Sequence, residues 1–146
     1  MKNPPIWMVA SRVSKKQGEM ARAVYISEQK HSELVECCIN WYEKTCAIII
    51  YKAVKPIFYE GDALVIDTDF PGSTGYIEKY IKNLLEVDYP RNPYMANPNI
   101  LFLTDRNPTV KDAHIKSQRL HRKEFPLCPR EKDPSFEREL RILKNR

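Results

Sequence analysis

The residues best placed to do chemistry are carboxylates that follow short apolar runs. Leu64-Val65-Ile66 leads into Asp67-Thr68-Asp69, and Leu101-Phe102-Leu103 leads into Thr104-Asp105. Both runs read as buried strands, and ligands of open α/β sheets bind beyond the carboxyl ends of strands. Asp67 and Asp69 are two apart, so they point to one side of an extended chain. Asp105 joins them at the same edge if the two strands are parallel neighbours. Gathered carboxylates repel one another and are normally neutralised by a hard cation or by basic groups. Mg²⁺ or Mn²⁺ with a phosphate substrate is the expected occupant, with Asp67, Asp69, Asp105 and Asp112 as metal ligands. The same acids also suit turns and caps, because Asp ahead of Pro-Gly or Arg-Asn is ordinary loop chemistry.

A helix starting at Asn107-Pro108 and running to about Glu124 would carry the remaining groups. Asp112, Lys116, Arg119 and Lys123 are spaced four, three and four, so they share one helical face. Lys116, Arg119, Arg122 and Lys123 would hold a phosphate backbone, with Asp112 as an acid ringed by bases. Asp112 and Lys116 equally form a routine i,i+4 ion pair. His114 and His121 read as surface residues. Pro71-Gly72-Ser73-Thr74-Gly75, between a strand and a helix, could cradle a phosphate but lacks the motif of a nucleotide fold.

These groups need elements to position them. Ile6–Ala10 and Ala23–Ile26 read as strands, and Ser32–Lys44 as a helix. Cys46–Tyr51, β-branched and apolar on both faces, reads as a buried central strand. Pro56–Tyr59 adds another strand. Ile77, Tyr80, Ile81, Leu84 and Leu85 follow the i, i+3, i+4, i+7, i+8 pattern of an amphipathic helix. Asp88–Asn99, with three prolines, reads as a loop. Asp133-Pro134 opens a last amphipathic helix with Phe136, Leu140 and Leu143 inward. Strands apolar on both faces need helices on both faces, so the expected fold is α/β, a mixed central sheet of about five strands. Residues 1–125 form one domain, and residues 126–146 a basic C-terminal extension with a short helix.

Composition narrows the classes. With 42% hydrophobic and 29% charged residues, the chain is globular rather than disordered. No apolar run approaches the roughly 20 residues needed to span a bilayer, and the first residues lack a secretory signal, so a cytoplasmic location is expected. Cysteines at 37, 38, 46 and 128 match neither a disulfide framework nor a zinc site. The formal charge of +5 is uneven. Residues 1–110 hold 13 basic and 13 acidic side chains, whereas residues 111–146 hold 11 basic and 6 acidic. A localised positive surface suits an anionic partner such as nucleic acid, and it also suits a solvated basic helix.

The segment from Ala63-Leu64-Val65-Ile66-Asp67, through a helix, to Ile100-Leu101-Phe102-Leu103-Thr104-Asp105 and Val110-Lys111-Asp112-Ala113-His114 resembles a known pattern. It is similar to the later half of a widespread family of uncharacterised prokaryotic proteins with a ribonuclease H-like fold. The resemblance spans roughly residues 45–123. It maps the strand-end acid onto Asp67 and the helix acid onto Asp112. Nucleases of that fold also carry an essential carboxylate in their first strand. Here Ile6–Ala10 and Ala23–Ile26 carry none, and Glu19 and Glu28 only flank the second. Either Asp69 or Asp105 completes the metal site, or the fold is kept without catalysis.

The leading expectation is a metal-dependent phosphodiesterase acting on nucleic acid, with Asp67, Asp69 and Asp112 catalytic. Its rivals are a non-catalytic module that binds nucleic acid or a protein through the basic segment, and a homodimer formed through the C-terminal helix.

Overall fold

The computed structural model describes residues 7–14, 18–35, 37–58, 62–68, 72–121 and 130–146. Their elements run β1 (Trp7–Ser14), β2 (Gly18–Tyr25), α1 (Glu28–Leu34), α2 (Trp41–Val54), a 3₁₀ turn (Lys55–Ile57), β3 (Leu64–Asp67), α3 (Thr74–Asp88), α4 (Pro93–Ala96), β4 (Ile100–Leu103), α5 (Pro108–His121), β5 (Arg130–Lys132) and α6 (Glu137–Leu143). The chain is α/β, but the single sheet of about five strands is not formed. The strands divide into a three-stranded sheet, β1-β2-β5, and a separate parallel pair, β3-β4. In the first, β1 and β2 form an antiparallel hairpin, Trp7 opposite Tyr25 and Ser14 opposite Gly18. β5 joins β2 in parallel from Ala23↔Arg130 to Tyr25↔Lys132.

The main correction concerns Cys46–Tyr51. It lies inside helix α2, with Lys44 through Tyr51 and Ala53 all buried. A helix apolar all round and a strand buried on both faces leave the same short apolar run, so periodicity cannot separate them. The uninterrupted 14 residues without Gly or Pro are too long for a typical strand and suit a helix. The expected Pro56–Tyr59 strand gives way to the 3₁₀ turn, with Pro56 in its first positions. Tyr59 lies outside the described residues. The expected helix Ser32–Lys44 is split. Ser27 caps α1 by accepting from the Lys30 N–H at 3.1 Å, and Asn40 takes a left-handed conformation (φ 55°) just before α2. Asn tolerates that region better than most residues.

Other expectations match the fold. Ile77, Tyr80, Ile81, Leu84 and Leu85 are the buried face of α3. β3 and β4 are parallel neighbours, Leu64 opposite Ile100 and Asp67 opposite Leu103, with α3 as their crossover. The loop between α3 and β4 contains the short helix α4.

The core gathers around α2, which packs against β1, β2, α3 and α6. The C-terminal segment contributes to that core, with Phe136 and Leu143 fully buried in it. Asp133 joins the segment to the hairpin: its N–H donates to the Tyr25 carbonyl (2.9 Å), and its Oδ1 accepts from the Ser27 N–H (2.7 Å). At the far end of α2, Lys52 meets the buried Glu139 at 2.7 Å, while Lys55 and Arg138 both contact Asp88.

Two lysines of α2 therefore have opposite circumstances. Lys52 is paired with Glu139, whereas the Lys44 Nζ is buried with no hydrogen-bond partner among the described residues and lies 5.6 Å from the centre of the Tyr80 ring. Unpaired buried polar groups cost stability, and removing one partner of a buried pair strands the other. Lys44→Met is expected to stabilise the protein by about 1–3 kcal/mol. Lys52→Met should destabilise it by a similar amount, less than a fully buried pair because Lys52 keeps partial solvent contact. Urea unfolding of both variants checks the opposite signs.

Burial lifts the Cys46 thiol from its ordinary 9.0 to about 12, the neighbouring Glu43 adding to the lift and a hydrogen bond from Tyr42 opposing it. The folded chain then holds this proton more tightly than the unfolded one. The resulting stability is fully present below pH 9.0 and is lost as the pH rises through about 12. The stability advantage of the wild type over Cys46→Ala should shrink across that window, by up to ~1.4 kcal/mol per pH unit, in unfolding titrations at stepped pH.

Candidate functional site

The carboxyl edge of the β3-β4 pair is where the strand-end acids were expected to act. Thr68 closes it: its N–H and its hydroxyl both donate to the Leu103 carbonyl at 2.9 Å. Asp67 sits just before this clamp, at the last position of β3. Helix α5 approaches the edge by a defined route. Asn107 Oδ1 accepts from the Thr109 and Val110 N–H groups (3.0 and 3.2 Å), Pro108 supplies the first helical residue, and Val110 is buried. That cap aims α5 against β1 and β3.

The approach brings His114 to Asp67, with Nδ1 3.3 Å from Asp67 Oδ2. The other ring nitrogen, Nε2, lies 3.1 Å from the Gln118 side-chain amide. A carboxylate at Nδ1 and an amide donor at Nε2 favour one tautomer and orient the ring. Both side chains keep solvent contact, 38% for His114 and 27% for Asp67.

Asp112 faces elsewhere. Two residues along an α-helix rotate a side chain by about 200°, so Asp112 and His114 leave α5 on opposite flanks. Asp112 Oδ2 lies 2.5 Å from Lys116 Nζ, the i,i+4 pair foreseen from spacing. Asp105 is exposed in the turn before α5, and Arg119 is exposed on its outer face. Asp69, Arg122 and Lys123 lie outside the described residues. Among the described residues no group of three or more His, Cys, Asp or Glu could hold a metal ion. Asp67, Asp105 and Asp112 do not gather into one such group.

The strand-to-helix junction at Ser73 does not favour phosphate. The Ser73 hydroxyl donates to Glu43 Oε1 at 3.1 Å, which places a carboxylate where an anion would bind.

The Asp67–His114 contact was not foreseen from sequence. Its members are far apart in the chain, and only the rotation of α5 about its axis selects His114 rather than Asp112. No family model, characterised protein or solved structure matches the chain. The described helices include none long and apolar enough to cross a membrane.

Because both partners are partly solvated, the Asp67–His114 contact should add little to folding. A double-mutant cycle with Asp67→Asn and His114→Gln is expected to give a coupling below about 1 kcal/mol in urea unfolding. A larger coupling would make the pair a structural tie rather than an available group.

Proposed function

We propose that this protein binds nucleic acid through the outer face of α5. The observation that supports this reading is the pattern of charge pairing. Two carboxylates at α5 already face bases, Asp112 against Lys116 and Asp67 against His114, while Asp105 is exposed in the turn before the helix. Lys111 and Arg119, in contrast, are exposed and form no ion pair with a described residue, and Arg106 stands exposed just before the helix. Cations without internal partners attract phosphate most strongly, because nothing in the protein competes for them. Arg122 and Lys123 continue the same basic sequence. Binding of this kind rests on the phosphate backbone and needs no metal.

A second reading, phosphodiester hydrolysis, is favoured by the Asp67–His114 contact. A carboxylate at Nδ1 holds the imidazole in the tautomer whose Nε2 can accept a proton, and the exposed Gln118 beside that nitrogen can move aside. His114 would be the base in this case and Asp67 its orienting group.

The two readings separate in one set of measurements. Fluorescence anisotropy with labelled single-stranded RNA and duplex DNA should show affinity falling steeply with salt. Lys111→Gln and Arg119→Gln should each weaken binding and lower the log–log salt slope by about 1. Asp67→Asn should leave binding intact and abolish any cleavage of the same oligonucleotides. Substitution is the right tool, since deletion of the last residues would remove Phe136 and Leu143 from the core. Salt-independent binding, or none, would overturn the proposal.

A further inference from the structure

Between α1 and α2 the chain carries two adjacent cysteines that neither proposed activity uses. We propose that Cys37 and Cys38 form a reversible dithiol–disulfide site, oxidised by low-molecular-weight disulfides of the glutathione type. Their Sγ atoms lie 3.1 Å apart, in direct thiol–thiol contact, and Cys37 is exposed to solvent. The segment that carries them is tied on both sides. The Cys37 N–H donates to the Leu34 carbonyl at 3.1 Å, and Asn40 Nδ2 donates to Tyr80 Oη at 3.1 Å. The two sulfurs are therefore held facing each other by the fold, which gives the second thiol a high effective concentration against the first.

Burial, with the Cys38 thiol adding to it, pushes the Cys37 thiol up to about 11, against smaller lowering influences from its own backbone hydrogen bond and from Lys44, one turn into α2. Cys37 is thus a slow nucleophile near neutral pH, and ring closure depends on proximity more than on acidity.

The exchange balances in two steps. The Cys37 thiolate attacks one sulfur of glutathione disulfide, forming a mixed disulfide and expelling one glutathione thiolate. The Cys38 thiolate then attacks Cys37 Sγ and expels the second. The two protons released by the cysteines pass to the two glutathione thiolates, so two protein thiols are oxidised and one glutathione disulfide is reduced to two glutathiones. Adjacent Cα atoms stand about 3.8 Å apart, closer than the usual range for a disulfide, so the ring is strained and readily reduced. That strain makes the site reversible rather than a structural staple.

The test uses the full chain equilibrated in glutathione buffers of graded ratio, quenched with an alkylating agent and read by intact mass and peptide mapping. The expected product is a monomer lighter by two hydrogens, with residues 37 and 38 both protected from alkylation. Dithiothreitol should restore both thiols, and conversion should quicken as the pH rises. Cys37→Ser, an exposed and structurally mild change, should abolish the lighter species and leave at most a glutathione adduct on Cys38. Cys128→Ser should leave the lighter species unchanged. Full alkylation of both residues in every buffer would overturn the proposal. So would a disulfide from either residue to Cys128 or to a second chain, or a stable glutathione on each.

Discussion

Helix α2 carries apolar side chains on nearly every side, so the chain must supply cover in every direction around it. Cys46, Ala47, Ile48 and Ile49 have no solvent exposure, and Ile50, Tyr51 and Ala53 have almost none. One face of cover is not enough for such a helix, because each exposed Ile would forfeit the roughly 1.5–3 kcal/mol that its burial contributes. The hairpin β1-β2 lies on one side, α3 on another, and α6 returns from the far end of the sequence to close a third. The C-terminal segment is therefore part of the fold's main core. Its return is fixed at its start by Asp133 against Tyr25 and Ser27, and at its helix by Glu139 against Lys52 and Arg138 against Asp88.

This arrangement leaves α5 in a different position. It rests on β1 and β3, and its buried Val110 lies outside the core cluster around α2. Among its described side chains Val110 is the buried one, with the small Ala113 and Ser117 partly buried. Most of its surface is free for charged groups. The strand-end acid at the last position of β3 meets whichever side chain the rotation of α5 presents, and that side chain is His114. The separation of labour follows from packing: α2 and α3 hold the core, while α5 carries polar chemistry at its edge.

Much of this was legible in the sequence, and the failures have physical causes. Helix α3 was legible because its five buried apolar residues repeat with helical period and most of its other positions are polar. The Asn107-Pro108 start of α5 was legible because capping is local chemistry, settled within three residues. β3 and β4 were legible as short apolar runs bounded by polar turns. Cys46–Tyr51 was misread because burial on all sides erases the contrast that period-finding requires. The break at Asn40 was hidden for a different reason: the apolar spacing runs through it, while the backbone takes a left-handed residue there. The Asp67–His114 meeting depended on long-range packing that no local pattern encodes.

The net +5 shows how the two levels differ. The surplus lies in residues 111–146, which hold 11 basic and 6 acidic side chains. The structure divides those cations by what they face. Arg138 is used against Asp88 and Glu139, and Lys116 against Asp112. A cation inside such a pair contributes little field beyond a Debye length, about 8 Å at physiological salt, because its partner cancels it locally. Lys111 and Arg119 project from α5 with no carboxylate of a described residue paired to them. The potential that an approaching polyanion meets is set by these unpaired charges and their spacing along one helix. The total charge reports how many cations exist; the pairing reports which of them remain available to a partner.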